Sequence, residues 1–139
     1  KRIERYSKIA FTPDGPMRND FELSLTDFFW EPFYQLLRQQ MLAWHIENDP
    51  ESGIDRARVL HISPSANLAL HKVTSPALRR FGTDAFKVFE SLLVDPSAFV
   101  GMTIEEAFAP LAAWPEAQWY PALRKRYSSL CQLTDGEES

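Results

Sequence analysis

Phe33-Tyr34-Gln35-Leu36-Leu37-Arg38-Gln39-Gln40-Met41-Leu42-Ala43-Trp44-His45-Ile46-Glu47 is the stretch on which the fold turns. At about 100° per residue, Phe33, Leu37, Met41 and Trp44 share one helical face, with Leu42 and Ile46 nearly opposite. Glu31-Pro32 opens the helix, because a proline costs little in the first turn. Asn48-Asp49-Pro50-Glu51-Ser52-Gly53 closes it with turn-formers. Apolar residues on two faces predict burial between layers. Arg58-Val59-Leu60-His61-Ile62-Ser63, stopped by Pro64, then reads as a buried strand parallel to an earlier one.

A helix, a short loop and a core strand make an α/β fold, and the remainder makes it mostly helical. Arg2 to Phe11 carries β-formers (Ile3, Tyr6, Ile9, Phe11) without strict alternation. Residues 1–26 therefore read as a strand or extended N-terminal arm, with a turn at Thr12-Pro13-Asp14-Gly15-Pro16. Residues 27–133 form the helical α/β body, and 134–139 a polar tail. Short helices are expected at Ser65–Lys72 and from Ser75-Pro76 to Arg80. Another follows Thr83 as its cap, with Phe86, Phe89, Leu92 and Leu93 on its apolar face. Thr103-Ile104-Glu105-Glu106 is a capping box, whose helix should run to about Trp114. A last helix after Pro115 aligns Trp119, Tyr120, Leu123, Tyr127 and Leu130, with Pro121 forcing a kink or a late start. A parallel sheet needs more strands than these. The missing ones are expected upstream of Lys1 or on a partner chain, so the domain reads as incomplete.

Composition narrows the function. Lys and Arg number 15 against 19 Asp and Glu, a net charge of −4, so any basic surface must be local. The single cysteine, Cys131, cannot close an intramolecular disulfide and reads as a small buried residue. With no apolar run of membrane-spanning length, no membrane partner is expected, and the cytoplasm is the expected compartment. His45, His61, His71 and Cys131 lack metal-ligand spacing, so no metal site is assigned to them. Five glycines supply no phosphate-cradling loop.

Three groups of residues remain. Magnesium nucleases hold the metal on clustered carboxylates, with a lysine to steady the attacking water. Pro13-Asp14 followed by Glu22-Leu23-Ser24 offers Asp14 and Glu22 as weak catalytic candidates, but Ser24 stands where the lysine belongs. Gln35, Arg38 and Gln39 either line a polar cleft or lie on one wet edge of the helix. Arg79 and Arg80, with Arg124, Lys125 and Arg126, are either solvated faces or nucleic-acid contacts.

The segment Phe29-Trp30-Glu31-Pro32-Phe33-Tyr34-Gln35-Leu36-Leu37-Arg38-Gln39-Gln40, leading to Val59-Leu60-His61-Ile62-Ser63-Pro64, resembles the later half of PD-(D/E)xK nucleases. Bacterial members of that superfamily are the nearest in look, and the closing Trp119-Tyr120 and Arg126-Tyr127 helix is similar to theirs. The resemblance covers residues 27–130. It implies an incomplete restriction-endonuclease-like fold and a nuclease-like protein acting on DNA or RNA. The family sets its catalytic Asp and Glu-x-Lys ahead of this helix, and residues 1–26 hold no matching trio. The resemblance thus implies an inactive isolated chain, with magnesium confined to a full-length parent. It places Gln35 and Gln39 beside the metal cleft. A non-catalytic protein-interaction domain is the alternative.

Overall fold

The computed structural model describes residues 2–128. The fold is mixed α/β, about half helical, with one two-stranded parallel sheet. The chain divides into two compact units: Lys1–Leu60 with Ala69–Val100, and His61–Leu68 with Gly101–Ser139.

The first unit begins with α1 (Arg2–Ala10), a helix where the sequence suggested a strand or extended arm. Its β-forming residues were misleading, because Tyr6, Ile9 and Ala10 stand at helical spacing, which tertiary packing rewards over intrinsic propensity. Tyr6 and Ile9 pack against the core and Ala10 lies within it. Glu4 in the first turn and Lys8 in the last complement the helix dipole. The turn that follows is pinned to later sequence. Met17 bridges Leu93, Arg18 N–H donates to the Leu92 carbonyl at 2.9 Å, and Val94 N–H to that of Pro16 at 2.9 Å. Gly15 is required there, because a Cβ would lie 2.2 Å from the Ile9 carbonyl oxygen. A 3-10 turn at Leu25–Phe28 follows, started by the Ser24 N–H donating to the Asp27 carboxylate at 2.8 Å.

Helix α2 (Phe33–Glu47) has the expected ends but buries one side only. Phe33, Leu36, Leu37, Gln40, Met41 and Ala43 enter the core, against α1, the 25–28 turn and α4 (Ala85–Ser91). Leu42 and Ile46 remain 60% and 36% exposed, and Trp44 is half-buried. The double apolar pattern therefore reflects surface leucine and isoleucine, which proteins tolerate singly, and not burial between two layers.

Strand β1 (Val59–Ser63) forms where expected, but it is not the buried core strand the apolar run suggested: Val59 and Ser63 are buried while Leu60 and Ile62 are exposed, and its partner lies later in the chain, not earlier. That partner is β2 (Phe99–Thr103), a strand that the local sequence did not announce. A four-residue helix, α3 (Leu68–His71), lies between. Asp84 caps α4 in place of Thr83: its carboxylate accepts from the N–H groups of Phe86 and Lys87, both at 3.0 Å. It also receives His71 Nδ1 at 3.5 Å. The expected helix from Pro76 to Arg80 is only a 3-10 turn at Arg79–Phe81, ended by Gly82 at φ 151°. Phe86 and Phe89 carry the α4 face into the core, Phe89 edge-on to Phe99 at 5.2 Å.

In the second unit, Thr103 and Glu106 form the expected capping box of α5 (Ile104–Phe108). Pro110 then tightens the chain into a 3-10 turn at Ala109–Ala113, short of the expected helix to Trp114. The start of α6 (Tyr120–Tyr127) is late, with Pro121 in its first turn. Ser65 N–H donates to Glu105 at 3.3 Å. Leu130, Cys131 and the tail lie outside the described residues.

Candidate nucleic-acid interface

Positions 35, 38, 39, 42 and 45 of α2 lie on its solvent side at helical spacing. Gln35, Arg38, Gln39, Leu42 and His45 line one groove there, facing Arg5, Tyr6 and Ile9 from α1. The groove is open and holds about 740 Å³. Among the described residues, its lining includes two guanidinium groups and an imidazole, and no carboxylate. Arg38 lies 5.6 Å from the Tyr34 ring. Two amides and two guanidinium groups supply N–H donors with a positive field, an arrangement chemically suited to phosphate oxygens. Both sequence alternatives for the glutamines meet here, since Gln35, Arg38 and Gln39 are exposed and also share a concavity. Gln40, from the same polar run, turns the other way and is 2% exposed.

The other candidates are dispersed. Asp14 sits in the turn before Gly15 and Glu22 in a loop at φ 53°, and they line separate concavities. Among the described residues, no three His, Cys, Asp or Glu side chains gather as a metal requires. Asp14 and Glu22 therefore do not fit a magnesium ion. Arg80 donates to the Phe21 carbonyl at 2.6 Å and lies over the Phe81 ring at 4.8 Å, so its charge is tied to its own unit. Arg79 reaches the Thr74 carbonyl at 3.5 Å. Arg124, Lys125 and Arg126 belong to α6 in the second unit, Arg126 near the Tyr127 ring at 5.9 Å.

Arg5, Tyr6 and His45 were not legible as site residues. His45 shares the face of Arg38, a signal present in the spacing, whereas the α1 residues join through packing. Elsewhere in the first unit, hydrogen-bonding partners lower the pKa of two acids. A hydrogen bond from Arg18 holds the Asp20 carboxyl below the usual range. Asp95 is held low first by the Ser97 hydroxyl and then by Arg56. Among the described residues, no helix is long and apolar enough to cross a membrane.

A family model described as Restriction Endonuclease associating with ARP matches residues 2–128. No curated protein and no solved structure matches the chain.

Proposed function

The chain belongs to the family described as Restriction Endonuclease associating with ARP, and from that premise we propose that it is the nucleic-acid-engaging part of a nuclease-like protein. The observation that carries this reading is the groove between α1 and α2, where Arg5, Arg38, Gln35 and Gln39 converge with no opposing carboxylate among the described residues. Arginine forks grip phosphate oxygens in pairs, and glutamine amides add neutral donors that fix register. Tyr6 offers an aromatic surface for an unstacked base. A net charge of −4 suits a local contact of this kind better than a coat of basic residues. In this proposal DNA or RNA is the ligand, the compartment is the cytoplasm of a bacterium, and cleavage belongs to catalytic residues other than Asp14 and Glu22.

Fluorescence anisotropy of short labelled DNA and RNA, followed across a salt series, tests the proposal. Each phosphate contact lowers the logarithm of affinity by nearly one unit per decade of salt. Arg5→Ala with Arg38→Ala should weaken binding across all sequences and flatten the salt slope by about two units. Gln35→Ala and Gln39→Ala should weaken binding while leaving the unfolding midpoint nearly unchanged. Unaltered binding in all three variants would overturn the assignment.

A protein-interaction domain is the second reading, favoured by Phe29 and Trp30, which stand side by side at 40% and 47% exposure. It expects no salt-steep nucleic-acid binding.

A further inference from the structure

Gln40 faces away from the groove and enters a second, smaller concavity in the first unit, of about 150 Å³. It is 2% exposed, and its Oε1 accepts no hydrogen bond from the described residues. Buried amide oxygens are nearly always paired, so this one marks a place built for a donor. Asp14, Glu47 and Asp95 line the same concavity. Asp95 is already paired with Arg56 and accepts a hydrogen bond from the Ser97 hydroxyl at 2.7 Å. Glu47 spends Oε2 on the Ala57 N–H at 2.9 Å, and among the described residues Oε1 has no hydrogen-bond partner. Among the described residues, no cation lies within ion-pair distance of the Asp14 carboxylate. Trp44 forms part of the wall, and an aromatic ring attracts a cation.

We propose that this concavity binds a primary ammonium group, which would donate to Gln40 Oε1 and be held by the negative field of Asp14 and Glu47. Each feature selects that chemistry. The carboxylates repel an anion. A divalent metal would need a gathered set of ligands that the described residues do not form, and the space exceeds that of a bare ion. A neutral donor would satisfy Gln40 and gain nothing from two carboxylates. An ammonium carries three N–H donors on one positive centre. Its source is either a free polyamine or a lysine side chain of a partner protein. The site is independent of the phosphate groove, since no described residue lines both.

The test is an NMR titration of the ¹⁵N-labelled chain with butylammonium chloride, following the Gln40 side-chain amide and the Trp44 indole. Saturable shifts of both signals are expected. Tetramethylammonium, which has the same charge and no N–H donor, should cause none. Asp14→Asn, on an exposed side chain, and Gln40→Met, of similar volume, should each weaken the affinity by at least tenfold while remaining folded by their thermal transitions. Putrescine and Nα-acetyl-lysine methylamide separate the sources: tighter saturation by the diamine assigns a polyamine, and by the blocked lysine a protein side chain. Shifts that fail to saturate, equal shifts with tetramethylammonium, or unchanged affinity in Asp14→Asn would overturn the proposal. If Gln40→Met unfolds, the Asp14→Asn result decides alone.

Discussion

The indole N–H of Trp44 donates to the backbone carbonyl of Asp14 at 3.0 Å, joining the last turns of α2 to a loop thirty residues earlier. That loop is also paired to the end of α4, so the indole completes a three-way tie within the first unit. Trp44→Phe should cost about 0.5–1.5 kcal/mol, the usual net contribution of one such bond, read from urea unfolding.

One-sided burial of α2 separates two leucines five residues apart. Leu37 is fully buried and Leu42 mostly exposed. Leu37→Ala should cost about 2–5 kcal/mol, and Leu42→Ala within about 0.5 kcal/mol. Equal costs in chemical denaturation would mean that the second face is covered.

Gly15 and Gly53 should respond to alanine for different reasons. At Gly15 the new methyl meets two backbone oxygens, of Ile9 at 2.2 Å and Ala10 at 2.9 Å, and neither can swing aside. A loss at the upper end of the roughly 1–3 kcal/mol typical of overpacking, or beyond it, is expected. At Gly53 no atom lies within 4 Å, and only its φ of 64° opposes a side chain. There the loss should be about 1–2 kcal/mol. Thermal unfolding of the two variants ranks them.

Acid should expose the Asp95 cluster. Its carboxyl lies below the usual range, because the Ser97 hydroxyl and then Arg56 favour the charged form. Between the lowered value and the ordinary one, the unfolded chain holds more protons than the folded chain. Stability therefore rises with pH through that window and is flat above it. Asp95→Asn should remove part of the acid-side slope in a series of denaturation midpoints against pH, and leave the neutral plateau flat.

Magnesium should not convert this chain into a nuclease through Asp14 and Glu22, since the two line separate concavities. Incubation with plasmid or oligonucleotide is expected to give no magnesium-dependent cleavage. Robust cleavage lost in Glu22→Gln would place a catalytic acid where the geometry does not.

Local signals in the sequence were strong where one element carried them whole. The α2 boundaries, the β1 run, the aromatic face of α4 and the Thr103–Glu106 box all lie within single short windows. Elements whose stability comes from distant partners were opaque. The β-formers of α1 are overruled by packing against α2 and the 25–28 turn. Five residues of β2 pair with a strand forty positions earlier, and no local window contains that partner. Thr83 and Asp84 are both good caps, and the carboxylate wins by accepting two N–H groups. The site divides in the same way. Helical spacing placed Gln35, Arg38 and Gln39 together, whereas Arg5 and Tyr6 join them through the tertiary fold. Gln40 stands four and three residues from the buried Leu36 and Leu37 and shares their side, a placement its polar amide concealed.

The division of the chain into units bears on descent and on dissection. The polypeptide passes between them at residues 60 and 61, again at 68 and 69, and a third time at 100 and 101. Neither unit is therefore encoded by one uninterrupted stretch of gene. No single crossover between related genes can exchange one whole and leave the other intact. Protease nicking within 61–68 would sever the first unit's own two segments from each other. Inheritance of the pair as a block is thus written into the threading of the chain.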